Sequence, residues 1–197
     1  MTTGFETRAR PSRLEPEIDG DVDPMFGSGG LPDAVELPDD DEPQRPINWF
    51  LLTADEAYAE WHALDQWVKR LLRDSYGLPP MVVPPFWYRH EELVWELSAL
   101  HQHWLNSYDP EGSPSGPLGW HRDFADTRSR LREWVATSGT RLDRDRPTRR
   151  TMWPGEAPAQ PAAERVIADR DADFVQFVLD DVTARRHIEE RVRLRAS

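Results

Sequence analysis

Trp87-Tyr88-Arg89-His90-Glu91-Glu92-Leu93-Val94-Trp95-Glu96-Leu97-Ser98-Ala99-Leu100-His101-Gln102-His103-Trp104-Leu105-Asn106-Ser107-Tyr108 reads as one amphipathic helix. At about 100° per residue, His90, Leu93, Val94, Leu97, Leu100, His101, Trp104 and Tyr108 share a face, the spacing of a helix packed on a core. The opposite face is polar apart from Trp95. On its N-terminal side, Pro79-Pro80-Met81-Val82-Val83-Pro84-Pro85 is too short and too proline-bound for a central strand.

Further upstream, Ile47-Asn48-Trp49-Phe50-Leu51-Leu52 opens the ordered region just after Pro46. It leads into Thr53-Ala54-Asp55-Glu56, a capping box in which Thr53 and Glu56 satisfy each other's backbone N–H groups. The helix that starts there places Ala57, Trp61, Leu64, Val68, Leu71 and Leu72 on one face, with Tyr58 and Trp67 on the flanks, and Gly77-Leu78-Pro79-Pro80 stops it. Downstream, Asp109 to Pro117 carries the turn residues of a loop. A third helix follows with Trp120, Phe124, Leu131, Trp134 and Val135 on one side, ending at Ser138-Gly139. A last helix runs from about Asp171 to Leu194, with Phe174, Val178 and Val182 on one face. Its acids come early and Arg185, Arg186, Arg191, Arg193 and Arg195 late, which complements the helix dipole.

The expected fold is all-α, a small three- to four-helix bundle with a disordered acidic N-terminal tail. Residues 46–139 form the helical domain, in which Trp61, Leu64, Leu97, Trp104, Trp120 and Leu131 are expected to be buried together. Residues 140–161 are an irregular Arg- and Pro-rich linker, and 162–197 hold the C-terminal helix, a candidate fourth member. Residues 1–45 carry twelve acids against four arginines, with six prolines and Gly27-Ser28-Gly29-Gly30. Neither helix nor ladder propagates through such a segment. Its scattered apolar residues are open to two readings, a docking motif or a solvating tail.

Composition narrows the function classes. The chain has 197 residues and a formal charge of −12, against a generally cationic nucleic-acid binder. With no cysteine there are no disulfides, thiolate nucleophiles, iron–sulfur clusters or Cys-ligated zinc. Met1 to Pro11 has no apolar core of a signal peptide, and no window approaches a membrane span, so the expected location is the cytoplasm with no membrane partner.

Trp87, His90-Glu91-Glu92, Leu97, Leu100, Trp104, a Gly/Pro loop and Trp120 together form a pattern over residues 84–140. This pattern resembles an uncharacterised domain family of unknown function found on actinobacterial plasmids, integrative conjugative elements and phages. Members of that family often end the stretch in Gly-Pro-Phe with a nearby Cys, where this chain has Ser138-Gly139-Thr140-Arg141. The resemblance implies a genomic setting, a mobile element of a high-GC bacterium, and no reaction.

Candidate chemistry is sparse. His90 and His101 lie eleven residues apart, three helical turns, and His101 and His103 point about 200° apart, so one helix cannot chelate a metal with either pair. A His/carboxylate metalloenzyme would need His90 or His101 joined to His121 or Asp123 across two helices; the alternative is core histidines hydrogen-bonded to neighbours. The spacing Gly112 to Gly116 mimics a nucleophile elbow, but Pro114 stands where the serine belongs. No catalytic, cofactor or metal residue is assigned. Arg141, Arg144, Arg146, Arg149 and Arg150, set against Asp143 and Asp145 and followed by Trp153, form the one nucleic-acid candidate. The alternative is an exposed linker. Trp95, with Glu92 and Gln102 beside it, is the candidate protein contact on an otherwise polar face, toward another protein or a second copy; cover by Phe174 and Val178 is the competing explanation. The functional expectation is a non-enzymatic accessory or protein-interaction factor.

Overall fold

The core combines aromatic residues from α-helices and from the segments before them, among them Trp49, Trp61, Trp87, Tyr88, Trp120 and Phe174, with aliphatic side chains such as Leu64, Leu93 and Leu97. The structure is a computed structural model and describes residues 45–149, 151–157 and 162–196. The expected acidic tail lies outside the described residues, apart from Arg45. The elements are α1 (Ala54–Trp67), a π-helical segment (Val68–Ser75), a 3₁₀ turn (Trp87–Arg89), α2 (Glu91–Ser107), α3 (Gly116–Thr137), β1 (Arg144–Asp145), β2 (Arg165–Val166) and α4 (Arg170–Ala196). Among the described residues the fold is an all-α bundle of four helices with one two-stranded ribbon.

Helix α1 begins as its sequence requires. The Glu56 N–H donates to Thr53 Oγ1 at 3.3 Å, and the Thr53 N–H donates to Glu56 Oε2 at 2.7 Å, a cap worth about 1 kcal/mol. Its far end departs from the expected straight helix. From Val68 the ladder widens by one residue, so that the Tyr76 N–H reaches the Leu71 carbonyl, and past its end the Leu78 N–H reaches back six residues to the Leu72 carbonyl. Gly77, at φ 60°, makes the left-handed turn that ends it. The widening leaves Leu72 fully buried while Leu71 stays at a cleft described below.

Trp87 to Arg89 does not belong to α2. Trp87, Tyr88 and His90 are each about 1 % exposed, and on an α-helix Tyr88 would point about 200° away from His90. A 3₁₀ turn followed by His90 in an extended conformation turns all three inward, and α2 starts at Glu91. Leu93, Val94, Leu97, Leu100 and His101 then face the core as expected, but Trp104 is only half-buried and Tyr108 is exposed. In α3, Trp120, Phe124 and Leu131 are buried, whereas Trp134, expected inside, is exposed.

Helices α2 and α3 are antiparallel neighbours, bound at Arg130–Glu96 (3.0 Å), His103–Asp123 (3.1 Å) and from the Trp120 indole to the Leu100 carbonyl (3.3 Å). Helix α4 docks on α1, also antiparallel: Arg170 pairs with Asp65 near one end, and Glu189 accepts from the Ala54 N–H at the other (2.7 Å). Phe174, Val178 and Val182 are buried there as the sequence predicts. Between the layers run close ring pairs, Trp49–Trp61 at 4.3 Å, Trp61–Phe177 at 5.3 Å and Tyr88–Phe174 at 5.1 Å. Segment 140–161 is not wholly irregular, since Arg144 pairs with Val166 and Asp145 with Arg165 as antiparallel partners. Gly139 allows this return: a Cβ there would overlap the Arg146 carbonyl oxygen.

Candidate functional site

The residues singled out on α2 are engaged within the chain and do not converge. Trp95 is half-buried with its ring 5.4 Å from Phe50, Gln102 accepts from the Ile47 N–H (3.0 Å) and donates to the Arg45 carbonyl (2.9 Å), and Glu92 accepts from the Thr148 hydroxyl (2.6 Å). What lies against Trp95 is therefore the segment before α1; α4 packs on α1. In the arginine-rich segment, Arg144 is paired with Asp143 (3.0 Å) and Glu164 (3.4 Å), Arg146 is half-buried, Arg141, Arg149 and Trp153 are exposed, and Arg150 lies outside the described residues.

His90 is the hub of a buried chain. Its Nε2 lies 2.8 Å from Asp145 Oδ1 and its Nδ1 2.8 Å from Thr148 Oγ1, whose hydrogen goes to Glu92 Oε1. The order of groups is that of an acid–base–hydroxyl triad, but the His90 ring has no exposure and the hydroxyl is already donating. The arrangement fastens residues 145–148 onto the start of α2. Among the described residues no three His or acidic side chains are grouped to hold a metal ion.

A different constellation lies where α1 passes into the π-helical segment. A cleft of about 380 Å³ opens between this segment and α2, with Trp67, His101 and Trp104 as aromatic walls, Ala63 and Leu71 as apolar surface, and Gln66, Arg70 and Ser75 adding polar groups. The His101 ring is 5.0 Å from Trp67 and lies nearly parallel to Trp104, 6.5 Å away. Three buried polar atoms here have no hydrogen-bond partner among the described residues: Glu60 Oε1, Trp67 Nε1 and His101 Nδ1. Glu60 Oε1 and His101 Nδ1 stand 4.0 Å apart, too far for a hydrogen bond. Burial lowers His101 to about 4 and raises the Glu60 carboxyl above its ordinary value, so His101 is uncharged at neutral pH. Each unsatisfied buried group costs about 1 to 3 kcal/mol. Clustered beside a π-helical turn, a feature common at functional sites, they mark this cleft as the candidate site.

Across the π-helical segment lies a larger cavity of about 550 Å³, bounded by Val68, Leu78, Val83 and Trp87. Its cations are already matched: Lys69 to Asp65 (3.0 Å) and Asp171 (2.8 Å), Arg170 to Asp65 and Asp171, and Arg73 to Asp74 (2.7 Å). Burial alone would raise the neighbouring Asp173 carboxyl, yet hydrogen bonds from Arg89 and Tyr88 bring it below its ordinary value. This side is a joint between α1, the proline-rich turn and α4.

Sequence reasoning assigned Trp104 and His101 to the core and Trp67 to a flank, and passed over Glu60 and Arg70. The one signal is a histidine and a tryptophan at the C-terminal end of the α2 stripe and a tryptophan on the flank of α1; their convergence depends on how α1 and α2 pack. Comparisons with protein-family models, with curated proteins and with solved structures find no match for this chain.

Proposed function

We propose that the chain is a non-enzymatic binding protein of the cytoplasm, an accessory factor that holds a ligand or partner through a flat ring seated in the Trp67–His101–Trp104 cleft. The reading is carried by one observation: of the six buried side-chain polar atoms without a hydrogen-bond partner among the described residues, three gather at or beside this cleft, the others being Trp87 Nε1, Arg128 Nε and Thr140 Oγ1. Aromatic walls give such a site most of its contact area, and a few polar groups fix the orientation. The mobile-element setting implied by the resemblance over residues 84–140 is compatible with an accessory role. Among the described residues no helix is long and apolar enough to cross a membrane.

The test is titration with naphthamide, a neutral two-ring probe, followed by NMR at the tryptophan indole N–H signals. Trp67 and Trp104 signals are expected to move and the others to stay, and Trp104→Leu is expected to abolish the effect. Unmoved Trp67 and Trp104 signals at saturating probe would refute the reading.

A further inference from the structure

We infer that the ring held in this cleft belongs to a small free molecule that carries an anionic group, a carboxylate or phosphate bound by Arg70. The inference rests on the binding reading above and adds the charge and class of the ligand. Three cations rise from the π-helical segment. Lys69 is matched by Asp65 and Asp171, and Arg73 by Asp74. Among the described residues Arg70 is the only formally charged one lining the cleft at neutral pH, and it has no carboxylate partner there, although the chain carries 36 acids. A guanidinium offers a planar fork of donors that matches a carboxylate or phosphate in two parallel hydrogen bonds.

Aromatic walls also attract cations, and Glu60 supplies a nearby carboxyl, so the opposite charge has to be weighed. Glu60 does not line the cleft, its Oε1 is buried next to His101, and burial favours its neutral form. Arg70 is at the cleft itself and repels a cation. His101, uncharged at neutral pH, adds no charge of its own, which leaves selection by charge to Arg70. The Trp67 indole N–H is a buried donor without a partner among the described residues, at the wall of the same cleft. A cleft of about 380 Å³ has room for one or two fused rings, whereas a protein partner would spread over a larger surface.

The experiment is calorimetric titration of the full chain with naphthoate, naphthamide and naphthylmethylammonium, alongside Arg70→Gln. Because Arg70 is exposed, this variant is expected to fold normally. Naphthoate is expected to bind about tenfold or more tightly than the ammonium probe, with naphthamide between them, and Arg70→Gln to erase the difference. Equal binding of naphthoate and naphthamide with Arg70→Gln silent would overturn the anionic assignment and leave ring binding standing. Preference for the ammonium probe would overturn it in favour of a cation site. If no probe binds, the reading of the cleft falls as well. If an acetylated Asp-Trp peptide binds about tenfold more tightly than naphthoate, the occupant is a protein segment and the assignment to a free small molecule is wrong.

Discussion

Helix α1 is finished differently on its two sides. Toward α4, the Trp61 indole donates to Asp181 (2.9 Å), Asp65 meets Arg170 and Lys69, and Arg185 reaches the carbonyls of Trp49 and Leu52 (2.9 Å each). Toward α2, Glu60, Trp67 and His101 keep buried polar atoms with no partner. The same helix thus supplies a matched interface and an unmatched one. Unpaired buried groups cost stability, and on α1 that cost falls on the side toward α2.

The largest expected effect tests the matched side. Trp61 is 4 % exposed and touches the rings of Trp49, Trp87 and Phe177, so Trp61→Ala is expected to cost about 4 kcal/mol in urea unfolding. Next is Asp173→Ala. It leaves the Arg89 guanidinium without its acceptor and the Tyr88 hydroxyl with only the Arg170 carbonyl at 3.5 Å, and is expected to cost about 3 kcal/mol in the same assay. A loss under about 1 kcal/mol from either would erase the contrast.

The third prediction concerns pH. His101 binds its proton near 6.5 when unfolded and near 4 when folded, so the unfolded chain holds more protons between those values. The stability contribution is complete above about pH 6.5 and is lost as pH falls toward 4, on the order of 2 kcal/mol after allowance for solvent screening. Glu60, raised by burial, works in the opposite sense, since its contribution is lost as pH rises through its folded value. His101→Phe is expected to flatten the acid-side slope of the unfolding free energy; an unchanged slope would place the titration elsewhere. The smallest effect belongs to Trp104→Ala. Half-buried at the cleft, Trp104 is expected to cost only about 1 to 2 kcal/mol, well under Trp61, while removing probe binding. A cost equal to that of Trp61 would make the cleft part of the core.

Much of the frame was readable from local pattern. The Thr53–Glu56 cap, the Gly77 stop, the buried stripe of α2 and the apolar face of α4 each depend on residues a few positions apart, and each is present. What escaped the reading depends on distant pairing. His90 meets Asp145 and Thr148 more than fifty residues away, and the β1–β2 ribbon joins residues about twenty apart, with no hydrophobic period to announce either. The π-helical widening after Trp67 was hidden because counting at a fixed angle presumes a regular ladder. The candidate cleft was illegible for the same reason, being made where that widened turn meets another helix.

The attachments of α4 carry a consequence for the order of assembly. The α2–α3 hairpin closes through pairs 20 to 34 residues apart, such as Trp120 with Leu100 and Arg130 with Glu96, whereas α4 reaches α1 and the segment before it across 105 to 136 residues. Loop-closure entropy favours the nearer contacts first. The chain is therefore expected to form the hairpin early and dock α4 last, passing through a species in which Trp61, Tyr88 and Asp173 still face water. The same detachment, run in reverse, is the route by which the native protein would first open to a protease.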